Sequence, residues 1–135
     1  MMTVFIAVLL IGSAVFVIYY WADFYIRGAV HVVKKDWYIK FQRAFPPADL
    51  WMSACAIVGA IGLLTGQAYG LVFTLLAASS MIFLALMDIT FNVQNNLYSL
   101  VSTSGQMKLE LSINICTLAL GIGLMIYVWP KIVVT

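Results

Sequence analysis

Residues 50–87, LWMSACAIVGAIGLLTGQAYGLVFTLLAASSMIFLALM, form a run of 38 residues without one charged side chain. A membrane crossing takes about 20 apolar residues, so the run is long enough for two. Gly66-Gln67-Ala68-Tyr69-Gly70 breaks it near its centre, and the stretch reads as a helical hairpin. Two more uncharged runs flank it, residues 1–22 and 111–130, each long enough for one crossing.

The composition agrees. The chain has 135 residues, 64% hydrophobic and 9% charged, with a mean hydropathy of +1.06. A soluble domain carries about 25% charged residues. The expectation is therefore an all-α integral membrane protein: a four-transmembrane-helix bundle forming a single domain over residues 1–135. The spans fall at about 3–22, 47–65, 69–91 (the last with room to reach 96) and 107–129. The first run lacks a basic n-region and a small-x-small cleavage site, and it is read as a retained helix, not a signal peptide.

The segment between the first two spans holds Arg27, Lys34, Lys35, Lys40 and Arg43, with His31 among them. Within it, DWYIKFQRAF (residues 36–45) repeats an aromatic every four residues, at Trp37, Phe41 and Phe45. That spacing predicts a short amphipathic helix in the membrane interface, capped by Asp36, with its cations near anionic headgroups. Pro46 and Pro47 open the second span. Thr103, with Gln106 three residues on, is the expected cap of the fourth, and Pro130 its expected end. Six Lys/Arg lie in loops 1–2 and 3–4, counting Lys108, against Lys131 alone on the other side. The positive-inside rule then puts both loops in the cytoplasm and both termini outside.

Five acidic residues occur, and four are distributed one per span: Asp23, Asp49, Asp88 and Glu110. At 1.5 Å per residue all four fall in a thin layer at the cytoplasmic end of the bundle. Asn92 and Asn114 join them, each four residues from its own span's carboxylate. Asp49 and Glu110 read as first-turn residues, where the helix dipole alone accommodates an anion. Asp23 has Arg27 four residues away as a partner. Asp88 has no basic neighbour at helical spacing, so its partner must come from elsewhere; Arg27, His31, Arg43 and Lys108 are the candidates. An intramembrane carboxylate normally faces protein or water and marks a site.

Asp23, Asp49, Asp88, Asn92, Glu110, Asn114, Arg27 and Arg43 are thus the candidate ligand-binding residues. No Cys-x-x-Cys, Glu-x-x-His, phosphate-binding glycine loop or nucleophile motif occurs, so no cofactor and no metal is expected. The expected partners are the lipid bilayer, with anionic headgroups at loop 1–2, and a small-molecule ligand, with no nucleic acid. The expected function is to bind, or help to transport, a small amphipathic or cationic ligand in a polar pocket at the cytoplasmic end. An enzyme using acid/base chemistry on a lipid or sterol-like substrate is one alternative. A structural subunit is another, joining a copy of itself or a partner membrane subunit through the small residues of the second span (Ser53, Ala54, Ala56, Gly59, Ala60 and Gly62).

Overall fold

A computed structural model describes residues 1–134. The described residues fold into helices without strands: α1 (Met2–Ile26), α2 (Asp36–Gln42), α3 (Phe45–Leu64), α4 (Tyr69–Gln94), a 3-10 turn (Leu97–Ser102) and α5 (Gly105–Val133). Four helical stretches are long and apolar enough to cross a membrane: Met2–Ile26, Asp36–Leu64, Tyr69–Gln94 and Gly105–Val133. These four fit a multi-pass membrane protein, in the number expected of the sequence. α1 packs on α3, α3 on α4 and α4 on α5, and α1 meets α5 through the Thr3–Tyr127 hydrogen bond at one end.

The hairpin between α3 and α4 follows from its glycines. Gly66 takes φ +67°, a left-handed conformation that only glycine adopts without strain. The Gln67 N–H then reaches the Gly62 carbonyl at 2.8 Å and the Gly66 N–H the Leu63 carbonyl at 3.3 Å, a Schellman closure of α3. Just above it the two backbones meet: a Cβ on Gly62 would lie 2.5 Å from the Gly70 Cα. The small side chains of α3 are spent on such internal packing. Ser53, Ala56, Gly59, Ala60 and Gly62 are buried inside the bundle, while Ala54 is exposed.

Several helix ends differ from expectation. α1 continues a turn past Ala22 and stops where Gly28, at φ +65°, gives its N–H to the Asp23 carbonyl. The cap of α5 is Ser104, not Thr103: its hydroxyl accepts the Met107 N–H at 3.2 Å. Pro130 does not end α5, which runs on to Val133. A proline four residues from a helix end removes one intrahelical bond and need not break the chain direction.

These shifts move the carboxylates. α3 begins at Phe45 and α5 at Gly105, so neither helix has an acidic residue in its first turn. Asp49 and Glu110 each sit just past the first turn, where the effect of the helix dipole falls off. The dipole does not account for them.

The candidate site, a carboxylate-lined cavity

A cavity of about 410 Å³ lies between the helices, lined by residues of α1 through α5. At one end it meets Asp49, Asp88, Glu110, Asn114 and Gln42; further along it is walled by Val17, Met52, Met81, Leu84, Ile113 and Leu120. Phe16, Tyr20, Trp21 and Phe45 supply aromatic faces. No Lys, Arg or His lines it.

Each carboxylate is held by neutral donors. Trp21 Nε1 donates to Asp49 Oδ2 at 2.7 Å, tying α1 to α3. Gln42 Nε2 donates to Asp88 Oδ1 at 3.3 Å, tying α2 to α4. Glu110 receives two bonds, from the Tyr38 hydroxyl at 2.7 Å and from Asn92 Nδ2 at 2.8 Å. Asn92 is fully buried and also reaches the Asp88 carbonyl at 3.0 Å, which fixes it between α4 and α5. Asn114 Nδ2 donates to the Tyr98 hydroxyl at 2.9 Å. Burial pushes the Tyr98 phenol above its ordinary range, so the ring stays neutral.

The structure therefore brings together Asp49, Asp88, Glu110 and Asn114 around the cavity, with Asn92 behind Glu110. It leaves three candidates outside. Asp23 is buried but pairs with Arg27, which also bonds the Tyr19 hydroxyl at 3.0 Å on the exposed face of α1. That is the one ion pair among the described residues; it engages Asp23 Oδ1 at local i,i+4 spacing and leaves Oδ2 buried without a hydrogen-bond partner. Arg43 is exposed at the end of α2. No cation reaches Asp88, whose side-chain partners are the amides of Gln42 and Asn114.

A short helix, α2, does form within residues 36–45, with its cations outward as expected. It is held by the bundle itself, with two sides engaged. Phe41 stacks on Phe91 of α4, with ring centroids 3.6 Å apart, and meets Phe45 edge-on at 5.1 Å. Tyr38 and Gln42, four residues apart on a neighbouring stripe, are buried and carry the bonds to Glu110 and Asp88. Trp37 remains partly exposed, and Lys34, Lys35, Lys40 and Arg43 all face outward.

Chemically, the cavity offers acceptors that the protein does not use. An ionised carboxylate has about four lone-pair sites. Asp49 receives one side-chain bond, from Trp21, and Asp88 is approached by the amides of Gln42 and Asn114; both carboxylates are only half-buried. Among the described residues no group of three or more His, Cys, Asp or Glu is placed to hold a metal ion. No protein-family model, no curated protein and no solved structure matches this chain.

Proposed function

We propose that the protein binds a small organic cation with an apolar body, its charge held by Asp88 and Asp49 at the end of the bundle that the basic loops place in the cytoplasm. One observation carries the reading. The cavity is lined by three carboxylates and no basic residue, and Asp49 and Asp88 keep acceptors to spare. Aromatic rings beside a desolvated site add cation–π attraction. Its volume lies within the usual range for small-molecule sites, about 300–1,000 Å³.

Binding is favoured over conduction. Beyond the cavity the bundle is filled by Ile6, Ala7, Leu10, Ala77, Ala78 and Leu124, all buried, which leaves no polar path to the far end. The same apolar cleft under the carboxylates suits a second reading, an acid/base enzyme on a lipid-like substrate. Asp88 is then the working group, since both oxygens of Glu110 are engaged.

The test uses protein in zwitterionic nanodiscs with dodecylammonium as probe and dodecanol as its uncharged counterpart. The amine should raise the melting temperature and the alcohol should not. Asp88→Asn should melt like the parent, because its amide oxygen still accepts from Gln42 and no buried cation is stranded, yet lose most of the response to the amine. Equal responses to amine and alcohol, or an undiminished response in Asp88→Asn, would overturn the proposal.

A further inference from the structure

We infer that the ligand reaches the cavity sideways, from the bilayer, through the seam between α1 and α5, and that it is therefore a membrane-dissolved amphiphilic amine whose tail rests in that seam. This builds on the reading of the cavity as a cation site.

Three directions lead out of the cavity, and two are closed. Towards the loops, α2 lies across the end: Tyr38 is 0% and Gln42 4% exposed, and the Phe41–Phe91 stack pins the helix down. Towards the far end, Leu10, Ala78 and Leu124 fill the bundle at 0–1% exposure. The third direction is the seam. α1 is tied to α3 by Trp21–Asp49, and α5 is tied to α2 and α4 through Glu110. The hydrogen bond that joins α1 to α5 lies near the other end, between Thr3 and Tyr127. Around the carboxylates no hydrogen bond or ion pair among the described residues joins the two helices directly, although Tyr20 of α1 lies near Glu110 of α5.

The rim of the seam shows both characters of an opening. Phe16 on α1 and Leu109 and Cys116 on α5 line the cavity and are exposed outward as well. In a helix that spans a bilayer, outward at this depth means towards lipid. The carboxylates lie at one end of the lining, and away from them it is mostly apolar, with Ser13 and Thr117 as its polar side chains. Glu110 and Leu120 on α5 both line the cavity, ten residues apart, which at 1.5 Å per residue is about 15 Å from acidic end to apolar end. A charged head at the carboxylates thus leaves its tail along Ile113 and Leu120, level with the acyl chains of the surrounding lipid.

Spin labels on the rim test this. The native Cys116 is labelled in a Cys55→Ala background, and position 16 is labelled through Phe16→Cys with both native cysteines replaced. Ile126→Cys serves as the lipid-facing control. In zwitterionic nanodiscs, collisions with oxygen report lipid exposure and collisions with a nickel chelate report water. Labels at 116 and 16 should collide with oxygen as the control does and be shielded from nickel. Dodecylammonium should reduce the oxygen collisions at both rim positions and leave the control unchanged. Nickel access at 116 would show a watery mouth and overturn the inference. So would rim labels indifferent to an amine that still gives Asp88-dependent stabilisation; the cation site would then stand without the seam. An amine with no Asp88-dependent effect at all removes both.

Discussion

The bond between the Tyr38 hydroxyl and Glu110 is the link on which the closed end of the cavity depends, and its energetic role can be worked out from its surroundings. Glu110→Ala removes the acceptor of two donors. Asn92 Nδ2 keeps the Asp88 carbonyl at 3.0 Å, so it is not orphaned. Tyr38, at 0% exposure, loses the one hydrogen bond its hydroxyl makes. A buried donor left unsatisfied costs about 1–3 kcal/mol. The side chain removed borders an existing cavity, so little is added for a new void. Tyr38→Phe alone should cost about 1 kcal/mol, the usual net value of a hydrogen bond. In the double variant the stranded hydroxyl is gone, so the losses should fall short of additive by about 1–2 kcal/mol. Unfolding in mixed micelles measures the global terms. Hydrogen exchange across residues 36–42 measures the local one: 1–3 kcal/mol corresponds to roughly 5- to 150-fold faster exchange in α2 if the helix opens on its own. Strictly additive losses with unchanged exchange in α2 would refute the claim that this bond holds the helix across the cavity.

Other expectations are as direct. Gly62→Ala sets a Cβ 2.5 Å from the Gly70 Cα and 2.6 Å from its nitrogen, backbone that cannot yield, and should lower stability by about 1–3 kcal/mol in thermal unfolding. Gly123→Ala meets nothing within 4 Å and should be neutral or stabilising by up to about 1 kcal/mol. Equal melting of the two would contradict the close α3–α4 approach. For orientation, single cysteines at positions 34, 67 and 108 in a background without Cys55 and Cys116 should label with an impermeant reagent from the cytoplasmic side at 34 and 108, and from the opposite side at 67. Cytoplasmic labelling at 67 would invert the topology.

The spans were legible because the bilayer imposes a length and a composition that a linear sequence displays directly. The layer of Asp49, Asp88 and Glu110 was legible for a related reason, since depth along a helix is a matter of counting residues. Partners were not. Asp88 was expected to find a cation because charges are the loudest feature of loop 1–2, and it found Gln42. A signal for this was present. Tyr38, Gln42 and Phe45 recur at i, i+4 and i+7, a second stripe beside that of Trp37, Phe41 and Phe45. Two stripes mean a helix that can be engaged on two sides at the end of a bundle. The dipole explanation for Asp49 and Glu110 failed through the position of helix starts: α3 begins at Phe45 and α5 at Gly105, each two residues before the expected start. The seam was beyond the sequence altogether, because which helices adjoin is a property of the packed bundle.

Native mass spectrometry of the protein extracted in a mild detergent tests the cation reading most directly, since it weighs whatever the cavity carries away from the membrane. The expected result is a single bound molecule bearing a basic nitrogen and an apolar tail, present on the parent and missing from Asp88→Asn at unchanged folding. A neutral or anionic lipid in its place, or the same molecule retained equally by Asp88→Asn, would contradict a cation site at Asp88.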